Sequence, residues 1–242
     1  MKAFSITDIG MKRHMNQDYV FASENAIGKF PNLFIVADGM GGHKAGDYAS
    51  RVCVKTMIES VQNSTLKTYI GILEEAIGAA NKRIFEDAAS NNDLEGMGTT
   101  LVVAVVLEDN TLYVANIGDS RLYLVDEEEI RQITEDHSLV EEMVKNGELE
   151  RSEAKVHPNK NVITRAIGTS KHVVADYFEV QLKPGDRILL CSDGLSNMLE
   201  DREMRYIMNR YSNDTARAVE ELVKKANING GKDNISAVLV QI

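Results

Sequence analysis

The sequence predicts an α+β domain in which antiparallel sheets pack together and amphipathic helices cover them from outside. Three observations lead there. Strand-like runs joined by short polar turns fill both halves of the chain, the pattern of hairpins. Apolar stripes at helical spacing lie between those runs. A regular strand–helix alternation, which would signal a parallel sheet, is absent.

In chain order, strands come first, among them the apolar run Leu33, Phe34, Ile35, Val36 and Ala37 that leads into Asp38 and Gly39. A helix is expected over roughly residues 45–61. A second is marked by Leu66, Tyr69, Ile70, Leu73, Ile77, Ala80 and Ile84, which recur at three- and four-residue steps. "TTLVVAVVLEDNTLYVANIGDSRLYLVDEEEIRQIT" reads as successive hairpin strands turning at residues 108–110 and 126–128. From about His137 to Arg165 the chain departs from sheet patterning and reads as a polar, partly helical insertion, a mobile flap. Two strands follow in "HVVADYFEVQLKPGDRILLCSDG". Then come two helical stripes, Met204, Ile207, Met208 and Tyr211, and Ala216, Val219, Leu222, Val223 and Ala226; "NISAVLVQI" closes the order as a strand.

A chain of 242 residues with 43% hydrophobic and 26% charged residues can bury a sizeable core. Only 3 prolines and no Ser/Gly-rich tract leave no linker, so residues 1–242 are expected to form one domain. The longest apolar run, residues 101–107, is too short to span a bilayer, and "MKAFSITDIG" lacks the apolar core of a signal peptide. Cys53 and Cys191 lie in apolar surroundings and fit buried free thiols of a reduced, cytoplasmic protein. The net charge of -10 argues against non-specific nucleic-acid binding and leaves carboxylates available for cations.

Five aspartates sit at marked corners: Asp18 in "RHMNQD", Asp38 in "VADGMGGH", Asp119 in "ANIGDSR", Asp193 in "CSDGLS" and Asp233 in "GGKDNIS". Each alone fits a turn or cap residue. Together they mean more, because Asp38, Asp193 and Asp233 lie at ends of buried strands, where clustered unpaired carboxylates would repel. Hard divalent cations such as Mg²⁺ or Mn²⁺ remove that repulsion, and Gly39 can add its carbonyl oxygen. A pair of such ions supplies hydroxide near neutral pH, suited to attack on phosphorus. Arg13, a guanidinium able to grip two phosphate oxygens, is the candidate anion clamp.

The ordered motifs "RHMNQD", "VADGMGGH", "MGTT", "ANIGDSR", "HPNKNVITRAIG", "CSDGLS" and "GGKDNIS" cover essentially the whole chain. They resemble the metal-dependent PP2C-type protein Ser/Thr phosphatases, in particular the compact bacterial members. The resemblance implies an α-β-β-α sandwich, two antiparallel sheets flanked by helix pairs, with metals at one edge. It implies hydrolysis of phosphoserine and phosphothreonine in proteins, opposing a cognate Ser/Thr kinase, by a monomer. By position, Asp38 bridges two Mn²⁺ or Mg²⁺ ions and Gly39 adds its carbonyl. Asp193 and Asp233 hold the first ion, Asp18 acts through water, and Asp119 belongs to a weaker third ion. Arg13 binds the substrate phosphate.

Two departures from the better-known animal pattern matter. Gln17 stands where an acidic ligand is usual, and Met40 replaces a histidine that could serve as general acid. His157, in the insertion, is the preferred replacement acid; His43, after Gly41-Gly42, is the other candidate and can equally start the following helix.

Other hydrolase chemistries leave no mark. The positions six after Cys53 and Cys191 are Glu59 and Asn197, not the arginine of a cysteine-nucleophile phosphatase, and those two after Asp38 and Asp193 are Met40 and Leu195, not the aspartate of an aspartyl-phosphate enzyme. No Gly-x-Ser-x-Gly occurs, and His14, His43, His137, His157 and His172 lack zinc spacing. The rival class is a catalytically weak phosphoprotein-binding or cation-sensing relative, which would typically have lost a metal carboxylate.

Overall fold

The computed structural model describes residues 1–42 and 45–242. The chain runs through β1 (Lys2–Asp8), β2 (Asp18–Ser23), β3 (Leu33–Met40), α1 (Ala45–Asn63), α2 (Tyr69–Ser90), β4 (Gly98–Thr99), β5 (Leu101–Val106), β6 (Thr111–Ile117), β7 (Arg121–Val125) and β8 (Ile130–Gln132). It continues through α3 (Leu139–Lys145), α4 (Arg151–Ala154), β9 (Asp176–Gln181), β10 (Arg187–Cys191), α5 (Asp193–Ser196), α6 (Asp201–Arg210), α7 (Thr215–Ile228) and β11 (Ile235–Gln241).

Two sheets result. One has the order β1-β11-β10-β7-β8, the other β2-β3-β5-β6-β9 with β4 paired to β3. All these pairings are antiparallel, as the hairpin spacing predicts. Alternation within a strand sorts side chains between layers. In β3, Phe34 and Val36 join Val102, Leu190 and Val238 between the sheets, while Leu33, Ile35 and Ala37 face Met57, Leu73 and Ile77 of α1 and α2. Both faces of β3 are therefore covered, which is why its apolar run is unbroken. On the far side, Leu189, Ala237 and Leu239 pack against Met204, Met208, Val219 and Leu222 of α6 and α7. Each fully buried Leu or Ile contributes about 1.5–3 kcal/mol relative to exposure.

Two helix boundaries differ from the sequence reading. Leu66 precedes α2 and is 41% exposed, and Ile70 points outward at the start of that helix. The stripe facing the core is Ile72, Leu73, Ala76, Ile77, Ala80 and Ile84. Thr68 fixes this start, since its hydroxyl accepts the Gly71 N–H at 3.3 Å, an N-cap the apolar spacing does not reveal. Tyr211 caps α6 and lies beyond its last turn. Cys53 and Cys191 are free and buried, and burial pushes both thiols up to about 12. Among the described residues no helix is long and apolar enough to cross a membrane.

Candidate active site

The topology gathers the marked aspartates at one edge of the sandwich. Asp18 begins β2 and lies directly opposite Asp38 on β3. Asp193 follows the end of β10, and Asp233 precedes β11, which pairs with β10 at that same end through Cys191 and Ala237. Asp119 occupies the short crossover from β6 in one sheet to β7 in the other, and Arg121, at the start of β7, pairs with Cys191. Both sheets thus contribute carboxylates to one place.

Neither Asp-Gly pair forms a turn. β3 continues through Gly39 to Met40, and Asp193 with Gly194 opens α5. These glycines are required for space. A Cβ on Gly39 would lie 2.0 Å from the Gly46 carbonyl oxygen of α1, and one on Gly194 would lie 1.9 Å from the Asn234 carbonyl oxygen.

Electrostatics bind the five carboxylates into one cluster. Burial, followed by the charges of Asp18, Asp193, Asp119 and Asp233, drives the Asp38 carboxyl well above the usual carboxylate range. Burial likewise pushes Asp18 up to about 7, Asp119 to about 8 and Asp193 to about 6; Asp193 charge adds to the rise of the first two and Asp233 charge to that of the third. Asp18 Oδ2 accepts from Ser192 Oγ at 2.7 Å, but its Oδ1 is buried with no hydrogen-bond partner. Such a group is costly unless a proton or a cation supplies the missing contact.

Among the described residues, no three His, Cys, Asp or Glu side chains close around a cation-sized point. Several oxygens are engaged elsewhere: Asp233 Oδ2 with Arg13 Nη2 at 2.7 Å, and Asp193 Oδ2 with Asn197 Nδ2 at 2.9 Å. The residues nonetheless fit a hard divalent cation. The donor set is all oxygen, one carboxylate oxygen is orphaned, and the raised carboxyl groups would ionise fully beside positive charge. Asp18, Asp38, Asp193, Asp233 and the Gly39 carbonyl could hold such ions, and Asp119 another.

Arg13 reaches this edge and is half-exposed, its guanidinium paired with Asp233. The insertion also meets it. His137 is buried at the flap root, where its N–H donates to Gly118 O at 3.0 Å and its Nδ1 accepts the Gly118 N–H at 3.0 Å, directly beside Asp119. His137 Nε2 faces Asp176 and Arg165, both at 3.1 Å, and burial lowers its pKa. Farther along, Lys155 pairs with Glu200, just beyond α5, at 2.9 Å. His157 is half-buried in the insertion, its Nδ1 accepting the Asn159 N–H at 3.2 Å; among the described residues no hydrogen bond joins its ring to the carboxylates. His43 lies outside the described residues.

Sequence reasoning passed over the polar residues that hold this edge in place. Thr100 Oγ1 accepts the Asp38 N–H at 2.9 Å and meets Ser120 Oγ at 2.7 Å, linking the Asp38 strand to the Asp119 corner. Ser192 supports Asp18, and Asn234 ties down the segment carrying Arg13. Their only signal was membership of the quoted motifs, Thr100 in "MGTT" and the others beside an aspartate.

Protein phosphatase 2C, as a family model, matches residues 11–239. The chain belongs to the protein phosphatase 2C family. It is 42% identical to the serine/threonine phosphatase stp of Listeria innocua over 242 residues, covering 97% of this chain and 93% of that protein. The serine/threonine phosphatase of S. agalactiae has a similar solved structure, with TM-score 0.91 and 35% identity, covering 100% of this chain and 99% of that one. The catalytic domain of the phosphatase PstP in complex with two manganese ions is similar as well, with TM-score 0.85 and 32% identity over 98% of this chain and 96% of that one. The α-β-β-α arrangement expected from the resemblance is the fold of this family, and the chain has it.

Proposed function

We infer that this chain is a metal-dependent protein serine/threonine phosphatase that hydrolyses phosphoserine and phosphothreonine in proteins. The observation that carries the reading is the convergence of five aspartates from both sheets on one edge, with Arg13 paired to one of them. When bound, the cations supply a water acidic enough to attack phosphorus near neutral pH.

The remaining work belongs to side chains of this protein. Asp38 and the Gly39 carbonyl would hold the two core ions, Asp193 and Asp233 would complete the first of them, and Asp18 would act through water. Asp119 holds a third, weaker ion. Arg13 grips the non-bridging phosphate oxygens of the substrate, an anion that the net charge of -10 would otherwise repel. His157 keeps a proton for the leaving serine or threonine oxygen. What supports this role is the Asn159 N–H donated to Nδ1, which leaves the proton of the neutral ring on Nε2. Manganese is the favoured ion, on the precedent of the PstP structure. The partners are phosphoproteins made by a Ser/Thr kinase, and the protein acts as a cytoplasmic monomer.

Phosphate release from a phosphothreonine peptide tests the reading. Turnover should require added Mn²⁺ or Mg²⁺ and stop on chelation. Undiminished turnover after prolonged chelation would remove the metal from the mechanism.

A further inference from the structure

We propose that Asn234 is a positioning residue for phosphate binding: its side-chain amide clips the segment carrying Arg13 onto the Asp233 corner. This rests on Arg13 as the phosphate clamp. Residues 9–17 join β1 to β2 without regular structure, so their shape is set from outside. Asn234 is 3% exposed and sets it at three points. Its Nδ2 donates to Ile9 O and to Met15 O, both at 2.9 Å, and its Oδ1 accepts the Gln17 N–H at 2.9 Å. Two carbonyl partners and one N–H partner admit only this orientation of the amide.

The clip brackets Arg13 from both sides, two residues before Met15 and four after Ile9. It is reinforced at Gly10, whose φ of +77° turns the backbone so closely that a Cβ would sit 2.1 Å from Asp233 O. Met11 N–H adds a bond to Gly231 O at 2.8 Å. From Gln17 the connection passes on, because Gln17 O accepts the Gly39 N–H at 3.0 Å and the Ser50 hydroxyl at 2.6 Å. One amide therefore sets the distance between the guanidinium and the Asp38-Gly39 end of β3. An arginine with a long free stem needs this, since a mobile cation holds phosphate far less tightly than a fixed one.

The test uses the Mn²⁺-loaded enzyme with three variants, Asn234→Asp, Arg13→Ala and the double variant. Asn234→Asp keeps the shape and the acceptor for Gln17 but exchanges two donated hydrogen bonds for repulsion with the Ile9 and Met15 carbonyls. The inhibition constant for inorganic phosphate and the KM for a phosphopeptide should both rise about tenfold, the size of one or two lost hydrogen bonds. The Mn²⁺ concentration giving half-maximal activity should not move. Trypsin should cut faster after Lys12 and Arg13, an effect independent of activity. The double variant should bind phosphate no worse than Arg13→Ala alone, because Asn234 acts through Arg13. Additive losses, a shifted Mn²⁺ requirement, or wild-type cleavage and phosphate inhibition in Asn234→Asp would each overturn the inference. If Arg13→Ala itself leaves phosphate inhibition unchanged, the clamp role of Arg13 falls first and takes this inference with it. Asn234→Ala, which removes all three bonds, should shift the same quantities further in the same direction.

Discussion

A carboxyl group buried among other carboxyl groups keeps its proton, and Asp18, Asp38, Asp119 and Asp193 all titrate above the usual carboxylate range for that reason. Residues placed so badly for stability are candidates for function, and substitutions should separate the two. Asp38→Ala should reduce phosphopeptide turnover to background. Asp119→Ala should lower the turnover number about tenfold, equivalent to roughly 1.4 kcal/mol of barrier, while binding of the two core ions persists. In chelator, the same Asp119→Ala protein should melt above the wild type, since one member of a repelling cluster is gone. Kinetics, a metal titration and a melting curve check these outcomes; a chelated variant melting below wild type would show that Asp119 holds structure instead. Asp38, Asp119, Asp193 and Asp233 were legible in the sequence because each ends an apolar run or sits near a glycine corner, and Asp18 because it stands just before an apolar run. Asn234, Ser192 and Thr100 were not, because a buried amide or hydroxyl has no meaning until its partner arrives. For Ser192 that partner, Asp18, is 174 residues away.

Elements carry the next level of constraint. The helical stripes and hairpin runs were readable from period alone, and they failed at ends such as Leu66, where a cap and not apolar spacing decides. The glycines of the Asp-Gly pairs answer to close backbone approach, which no local pattern encodes. Gly39→Ala should therefore force β3 and α1 apart and destabilise the protein by more than about 2 kcal/mol in urea titration, as overpacking does. A change under 0.5 kcal/mol would mean that α1 can shift freely. The sequence marks a polar insertion from about His137, but not the hydrogen bonds that fix that end. His137 looked like one of five scattered histidines, and only the fold turns it toward Gly118. For the flap itself, the proton-donor role of His157 predicts unequal losses on two substrates. An aryl phosphate leaves readily without protonation, whereas a phosphothreonine alkoxide does not. His157→Ala should depress kcat for the peptide at least about tenfold more than for the aryl ester. Equal losses on both would assign His157 to flap positioning.

At the scale of the molecule, two sheets are joined at one edge by groups that repel each other until something positive arrives. The ordered motifs made this architecture legible through the family they resemble. The convergence of the side chains required the register of Asp18 on Asp38 and the crossover at Asp119. The cluster should show in the pH dependence of stability. Asp18 and Asp119 have folded pKa values raised to about 7 and about 8, above the ordinary 3.8, so the folded state binds more protons than the unfolded chain. Their contribution is complete at low pH and is lost as pH rises through those values. His137, whose pKa is lowered from 6.5, acts in the opposite sense only below that pH. Between about pH 6.5 and 8 the melting temperature in chelator should therefore fall, at about 2–4 °C for each kcal/mol, while the Mn²⁺-loaded protein stays nearly level. A chelated protein whose melting temperature is flat or rising there would deny the raised carboxyl groups. The most direct measurement is calorimetric titration of Mn²⁺ into chelator-treated protein, wild type beside Asp38→Asn. The wild type should bind two or more ions with release of protons from the cluster, and the variant should lose tight binding of both core ions. Binding of Mn²⁺ to Asp38→Asn with wild-type affinity and stoichiometry would contradict the central claim that these clustered carboxylates form one cation site.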